Sequence, residues 1–169
     1  AVLEAEHVCV DKYKYAELTG FGNANDAFHP STTSDDARGP VLAMERALKK
    51  ANLPATEIDY INAHGTGTQN NDFTETVALK KVFEKVPPFN STKSYTGHTL
   101  AASGALEAVF SLLSMVNNEL YPSLRCSISI EEFNIPPIVT YQQAELKNVL
   151  SNSFGFGGNC TSLIFSKCF

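Results

Sequence analysis

Ile58–Thr68 (IDYINAHGTGT) is the stretch that decides the fold, because a short and mostly apolar run leads there into a glycine-rich turn. Short apolar runs bounded by turn residues are typical of buried strands. The next residues, 72–75 (DFTE), have the spacing of a helix N-cap with a capping box. The sequence therefore predicts a strand over 58–63, a glycine turn, and a helix from Asp72 to about Lys85.

Strand and helix patterns continue to alternate on both sides of this stretch. A strand is predicted over 15–21, ended by turn glycines, and an amphipathic helix over 40–51, ended by Asn52 and Pro54. Towards the C-terminus we expect a helix over 105–116 and two strands, 148–153 and 160–166, around a Gly-Phe-Gly-Gly turn. This order predicts an α/β fold, with a mixed sheet covered by helices, in one domain spanning residues 1–169.

Composition narrows the class of partner. The chain has 169 residues, with 13 Lys and Arg against 18 Asp and Glu and a formal net charge of −5. It has no basic cluster, which argues against nucleic acid or an anionic membrane surface as partner. The longest apolar stretch is shorter than the roughly 20 residues of a membrane span, so no membrane segment is expected. A small neutral or acylated substrate fits this composition better.

The cysteines show no metal-binding or redox pattern. Cys9, Cys126, Cys160 and Cys168 are scattered and form no C-x-x-C pair. We therefore expect reduced thiols and a cytoplasmic location. The four histidines have no ligand spacing either, so no metal site is predicted. The serine hydrolase pattern G-x-S-x-G and the glycine patterns of phosphate-binding loops are also absent.

Two histidines and a lysine are the first candidate functional residues. His64 follows a predicted strand, and the carboxyl end of a strand faces the crevice where α/β folds bind ligands. Taken alone, His64 fits a structural histidine in a turn equally well. His98 precedes the apolar helix over 105–116, and Lys93 lies five residues before it. Taken alone, Lys93 fits a solvated surface lysine.

Glu107 changes the interpretation of Lys93. The helix over 105–116 has only three polar side chains in twelve and is expected to be buried on nearly every side. A buried carboxylate is costly unless it is paired. Lys93 is the natural partner, so we predict a contact between Lys93 and Glu107 close to His64 and His98.

The segment 152–158 (NSFGFGG) is a third unusual feature. It places Phe154 and Phe156 among three glycines. A plain turn would rarely use two phenylalanines, because they lose apolar burial when solvated. The pattern favours an aromatic loop beside a cavity.

These motifs together resemble the β-ketoacyl-acyl carrier protein (ACP) synthases, especially the bacterial type II elongating condensing enzymes. The motifs that carry the resemblance are 63–68 (AHGTGT), 71–72 (ND), 91–98 (STKSYTGH), 104–105 (GA) and 152–158. The similarity runs along practically the whole chain but matches only the C-terminal half of the family. The resemblance implies a thiolase-like half with a mixed five-stranded sheet, and an N-terminal half that lies outside this sequence.

The resemblance also implies chemistry. Malonyl-ACP would lose CO2 and condense with an acyl-enzyme thioester, in fatty acid or polyketide biosynthesis. His64 and His98 would stabilise the enolate, and Lys93, paired with Glu107, would hold the site electrostatically. The backbone N–H of Phe156 would serve an oxyanion hole, with Phe154 and Phe156 gating the acyl tunnel. The side chains that would bind the pantetheine arm are Thr66 and Thr68.

The resemblance implies partners as well. The family's nucleophilic cysteine lies in the N-terminal half, so this chain alone is predicted to be inactive. Cys160 stands where relatives commonly have Asn, and we interpret it as a packed thiol. The expected partners are acyl carrier protein, the N-terminal half of the same enzyme and, in the complete enzyme, a second copy. No diffusible cofactor is expected, because 4′-phosphopantetheine arrives on the carrier protein.

Two other functions share these features. A non-catalytic chain-length-factor-like or carrier-binding module would keep the fold, but it would be expected to have lost His64, Lys93 or His98. Thiolase-type cleavage with coenzyme A would be expected to use a C-terminal catalytic cysteine. Neither Cys160 nor Cys168 lies in such a motif.

Overall fold

The computed structural model describes residues 3–8, 14–126 and 133–168, so Cys9 and both ends of the predicted 1–169 domain lie outside the described residues. Seven strands and four α-helices are described within these ranges. The strands are β1 (Glu17–Asn25), β2 (Tyr60–Asn62), β3 (Phe89–Asn90), β4 (Glu119–Leu120), β5 (Gln142–Gln143), β6 (Asn148–Gly155) and β7 (Asn159–Ser166). The helices are α1 (Arg38–Ala51), α2 (Gln69–Val82), α3 (Lys93–Thr96) and α4 (Ser103–Asn117).

The main sheet has five strands in the order β1-β7-β6-β2-β3. The pairs β1/β7 and β7/β6 are antiparallel, whereas β6/β2 and β2/β3 are parallel. The predicted mixed five-stranded sheet is therefore confirmed, as is the hairpin formed by β6 and β7. Strands β4 and β5 form a separate two-stranded antiparallel ribbon.

Helices cover both faces of the sheet. Successive side chains of a strand point to opposite faces, so each central strand feeds two cores. One core joins α1 and α2 to Ile61, Leu150 and Ile164. The other joins Met115 of α4 to their neighbours along the chain, Tyr60, Val149 and Phe165. This alternation explains why the strands are apolar on both sides, as expected for a covered sheet.

Strand β1 continues past the point where the sequence predicted a turn. The glycines at 20 and 22 lie inside the strand, which ends at Asn25. A Cβ atom on Gly22 would lie 2.0 Å from the carbonyl oxygen of Ala43 in α1. These glycines therefore let α1 lie directly on the strand. The predicted end of the strand at residue 21 is wrong, because glycine is used both in turns and where a helix packs closely on a strand.

The carboxylate of Asp26 caps the start of α1. The helix begins at Arg38, two residues before the predicted start, and ends as predicted before Asn52, whose φ is 55°. Asp26 is buried and accepts hydrogen bonds from the backbone N–H of Gly39 (3.1 Å) and from the Ser34 side chain (2.7 Å). A carboxylate suits this position because the N-terminal N–H groups of a helix lack partners within the helix.

Helix α4 is buried on its polar side, contrary to the prediction of a helix buried all round. Its buried positions are Ser103, Glu107, Ser111, Ser114 and Met115, which follow one stripe of the helix. Leu106 and Leu113, on another side, are 37% and 40% exposed. Among the described residues, Leu100–Asn117 is the one helical stretch with the length and apolar composition of a membrane span. Helices in the core of a globular protein can have the same length and composition. The polar stripe faces the sheet, where the Asn62 side chain of β2 donates to the backbone oxygen of Glu107 at 3.1 Å.

Candidate active site

The carboxyl ends of β2 and β3 bring the predicted residues together. His64 follows β2, and Lys93 follows β3, the parallel neighbour of β2. His98 lies between α3 and α4, and Glu107 lies in the second turn of α4. Parallel neighbours end at the same edge of a sheet, so residues about 30 positions apart in sequence meet in one crevice.

Lys93 is the centre of the cluster. Its Nζ forms an ion pair with Oε1 of Glu107 and donates to the backbone oxygen of His64 at 2.5 Å. Lys93 and Glu107 are 8% and 2% exposed, respectively. The predicted Lys93–Glu107 contact beside His64 is therefore confirmed. Glu107 Oε1 also accepts from the Ser103 hydroxyl at 2.9 Å, whereas Oε2 is buried without a hydrogen-bond partner among the described residues.

The two imidazole rings lie edge to face. Their ring centroids are 5.4 Å apart, with an interplanar angle of 84°. His98 is exposed, and its Nδ1 accepts the backbone N–H of Leu100 at 3.2 Å. His64 is buried, and its Nδ1 lies 3.1 Å from Lys93 Nζ. An ammonium can only donate, so Nδ1 of His64 accepts and the ring proton sits on Nε2. In the neutral form, both rings therefore carry Nε2–H.

The surroundings keep His64 neutral. Burial lowers its pKa from 6.5 to about 3, and the positive charge of Lys93 and the nearby His98 act in the same direction. A buried imidazole beside an ammonium cannot easily accept a second proton. His64 is therefore a hydrogen-bond donor through Nε2–H across the physiological pH range rather than an acid.

This low pKa predicts an acid-dependent loss of stability. Below pH 6.5 an unfolded histidine binds a proton that folded His64 does not, so the free energy of unfolding falls as the pH falls from 6.5 towards 3. Between pH 7 and pH 5 this linkage removes about 2 kcal/mol. Urea unfolding of the chain and of His64→Gln at both pH values measures it. The variant should lose about 2 kcal/mol less on acidification; equal losses would show that His64 titrates normally.

Glu75 is a site residue that sequence reasoning did not find. It was expected to complete a capping box with Asp72, but α2 begins at Gln69 and Glu75 is buried in its interior. Its two carboxylate oxygens accept the backbone N–H groups of His64 (2.9 Å) and Gly65 (2.8 Å). Burial raises the pKa of Glu75, while these hydrogen bonds lower it. Glu75 shares a helix face with Ala78 and Leu79, and a carboxylate on an apolar helix face is the signal that could have identified it.

Asn152, in β6, orients the side chain of Glu75. Its side-chain nitrogen donates to Glu75 Oε1 at 3.1 Å, and its oxygen accepts the Ser162 hydroxyl at 2.7 Å. All three residues are buried. The glycine turn after His64 is thus held by a chain of hydrogen bonds that runs from Ser162 in β7 through Asn152 and Glu75.

The two phenylalanines occupy different environments. Phe154 is 7% exposed, and its ring lies 5.7 Å from the ring of His64. Phe156 is 81% exposed and lies in the turn between β6 and β7. Gly158 in this turn has φ of 78°, and a Cβ there would lie 3.0 Å from Asn25 Oδ1. Phe154 therefore packs beside His64, whereas Phe156 extends into solvent from the turn.

Thr66 and Thr68 lie on the surface of the glycine turn. Their hydroxyl oxygens are 2.8 Å apart; Thr68 is exposed and Thr66 is half-buried. Thr66, Lys93 and His98 line a cavity of about 500 Å³ that also reaches residues 123–126. This volume falls in the range of small-molecule sites. Within the described ranges, no group of three His, Cys, Asp or Glu side chains is placed to hold a metal ion.

Cys160 is a packed thiol, as predicted. It is 3% exposed in β7, and its Sγ lies 3.5 Å from the backbone oxygen of Gly158. Burial raises the pKa of Cys160 to about 12, and the nearby Asp26 acts in the same direction. A thiol with this pKa is not a nucleophile at neutral pH.

Comparison with known proteins identifies what the chain resembles. Residues 15–127 match the family model described as beta-ketoacyl synthase, C-terminal domain. The chain is 39% identical over 158 residues to 3-oxoacyl-[acyl-carrier-protein] synthase 2 of Vibrio harveyi, covering 90% of the chain and 38% of that protein. It is 41% identical over 170 residues to synthase 1 of Haemophilus influenzae, covering 98% of the chain and 41% of that protein. The chain therefore spans about two fifths of these relatives.

Solved structures agree with the fold. A beta-ketoacyl synthase from Burkholderia phymatum superposes with a TM-score of 0.81 at 39% identity, over 92% of this chain and 38% of that chain. A ketosynthase in complex with its chain length factor from Xenorhabdus doucetiae gives a TM-score of 0.84 at 39% identity, over 93% of this chain and 40% of that chain. The predicted thiolase-like α/β half is confirmed by these neighbours.

Proposed function

The chain belongs to the beta-ketoacyl synthase family, and from this premise we propose that it is the C-terminal half of a β-ketoacyl-ACP synthase. The proposed reaction is the decarboxylative Claisen condensation of malonyl-ACP with an acyl-enzyme thioester, in fatty acid or polyketide biosynthesis. The observation that carries the proposal is the edge-to-face pair of imidazoles, His64 and His98, backed by the buried ion pair of Lys93 and Glu107.

The imidazole pair suits an enolate. When malonyl-ACP loses CO2, the electrons of the broken C–C bond form an enolate whose oxygen carries the new negative charge. Two preorganised N–H donors, on Nε2 of His64 and Nε2 of His98, stabilise that oxygen. Donors fixed in advance in such a site are worth a few kcal/mol each. Burial and the positive charge of Lys93 lower the pKa of His64 and so maintain its neutral donor form.

The remaining steps need a nucleophile from outside this chain. In the proposed cycle, a cysteine of the N-terminal half takes the acyl group from its carrier protein as a thioester. The enolate carbon attacks that thioester, the tetrahedral oxyanion accepts the Phe156 N–H, and its collapse releases the cysteine thiolate and β-ketoacyl-ACP. Phe154 and Phe156 gate the acyl tunnel. Thr66 and Thr68 bind the pantetheine arm through their hydroxyls.

The exposed apolar side of α4 supports an N-terminal half as partner. Leu106 and Leu113 of α4 are 37% and 40% exposed, and Leu100, just before the helix, is 77% exposed. Exposed leucines on and beside one helix favour a protein–protein interface. We propose that the N-terminal half covers this side, that the complete enzyme is a homodimer, and that acyl carrier protein delivers both substrates. The cytoplasmic location is likewise proposed, although one relative is a mitochondrial synthase of Arabidopsis thaliana.

An activity assay tests the function. The isolated chain should form no β-ketoacyl-ACP from acyl-ACP and malonyl-ACP, because histidines that stabilise charge cannot replace a nucleophile. The complete synthase should release CO2 and form the product. Turnover by the isolated chain with its thiols blocked would overturn the mechanism. A complete protein that stays inactive alone but activates a partner subunit would instead support the chain-length-factor-like function.

A further inference from the structure

Residues 122–125 are held firmly against the segment that carries Lys93. Residues 122–125 follow β4 and lie beside α3. Four hydrogen bonds join the two: Tyr95 Oη to Pro122 O (2.7 Å), Leu124 N to Ser94 Oγ (3.0 Å), Ser91 N to Ser123 Oγ (3.2 Å), and Arg125 Nη2 to Ser94 O. The position of Arg125 is therefore fixed relative to the site.

Arg125 has an unusual backbone conformation and, within the described ranges, no acidic partner. Its φ is 58°, in the left-handed region that costs a non-glycine residue roughly 1–2 kcal/mol. Its guanidinium contacts the Ser94 carbonyl, and no carboxylate in the described part of the chain lies within ion-pair distance of it. An arginine has five N–H donors, so most of them remain available to a ligand.

The same cavity is lined by Arg125, Thr66 and His98. Two carboxylates, Asp72 and Glu75, also line it, but each already has hydrogen-bond donors. Asp72 accepts from the Gly67 backbone and the Asn71 side chain, and Glu75 accepts from two backbone N–H groups. Lys93, the other cation in the lining, is paired with Glu107. Among the described lining residues, Arg125 is therefore the cation without an acidic partner.

We propose that Arg125 binds the phosphate group of the phosphopantetheine arm; this inference rests on the function proposed above. The guanidinium fork matches phosphate oxygens in a bidentate geometry that few other side chains offer. Because His98, Thr66 and Arg125 line the same cavity, an arm whose thioester lies beside His98 would occupy the space that Arg125 borders. Arg125, the proposed phosphate anchor, binds one end of the arm, while the imidazoles act on the thioester at its other end.

Binding measurements on the complete synthase test the anchor. The probes are malonyl-phosphopantetheine and malonyl-pantetheine, which differ only in the phosphate, each titrated by calorimetry. Arg125→Gln should weaken binding of the phosphate-bearing probe about tenfold and leave the other unchanged, since one charge-assisted contact is lost. Arg125→Lys should recover part of the loss. In turnover assays with malonyl-ACP, KM should rise while kcat stays constant.

Arg46→Gln is the matched control. Arg46 is also an exposed arginine that donates to a backbone oxygen, that of Asn23, but it does not line the cavity. It should change neither affinity. Equal weakening of both probes by Arg125→Gln would show a purely structural role, and a loss seen with malonyl-ACP alone would point to the carrier surface; either result overturns the anchor. Absence of turnover in the wild type would contradict the proposed function. The difference in affinity between the two probes tests the role of Arg125 independently of turnover.

Discussion

Replacing His98 by alanine in the complete synthase is expected to slow the release of CO2 from malonyl-ACP by about 10²–10³-fold, the usual cost of losing one preorganised donor to a developing oxyanion. Acyl transfer to the nucleophilic cysteine should stay near the wild-type rate, because that step needs no enolate stabilisation. The two half-reactions are measured separately, with labelled malonyl-ACP and with labelled acyl-ACP. His64→Ala should show the same pattern.

His29→Ala is the control for this comparison. His29 is also exposed, and its Nδ1 accepts a backbone N–H two residues later, that of Ser31, at 3.2 Å. The local geometry is therefore that of His98 and Leu100, but outside the site. Its replacement should leave CO2 release unchanged. Equal losses in both half-reactions for His98→Ala would show that the histidine maintains the structure rather than the enolate.

Replacing Glu107 by glutamine is expected to lower the free energy of unfolding by about 3–5 kcal/mol, because it leaves the buried ammonium of Lys93 without its counter-charge. Lys93→Met should cost a similar amount, since it leaves the carboxylate of Glu107 buried and unpaired. The double variant Lys93→Met/Glu107→Leu should recover most of the loss, as apolar replacements of buried pairs often do. Urea unfolding at pH 7 measures each variant.

A surface ion pair of the same chain provides the control. Lys147 and Glu145 are 3.9 Å apart, with side chains 68% and 70% exposed. Exposed pairs contribute about 0–1 kcal/mol. Glu145→Gln should therefore change stability far less than Glu107→Gln does. Similar small effects at both positions would mean that water reaches the Lys93–Glu107 pair and that burial does not govern it.

Several features were predictable because local chemistry decides them. The motifs that contain His64, Lys93 and His98 indicated a candidate active site. The apolar pattern near the C-terminus predicted the two strands β6 and β7. The pairing of Glu107 with Lys93 was also predictable, because a carboxylate in an apolar helix needs a counter-charge. Each of these predictions depends on a residue type that can play few other structural roles at its position in the chain.

Other features were wrong or missing because distant residues decide them. Gly22 looked like a turn residue, yet it lies within β1 because α1 passes 2.0 Å from where its Cβ would be. Glu75 looked like part of a cap, yet it fixes the turn after His64. Local spacing cannot distinguish these uses, since the deciding atoms belong to other elements.

The sequence by itself determined the alternation of strands and helices, the family resemblance and the identity of the charged and imidazole groups. Only the tertiary structure decided which side of α4 is buried. A period of 3.6 residues places Ser103, Glu107 and Ser111 on one stripe, but hydrophobicity alone would turn that stripe outwards. The ion pair with Lys93 and the hydrogen bonds around it turn it inwards. The physical reason is that the buried ion pair and its hydrogen bonds hold this stripe against the sheet, and Leu106 and Leu113 are left partly exposed on another side of the helix.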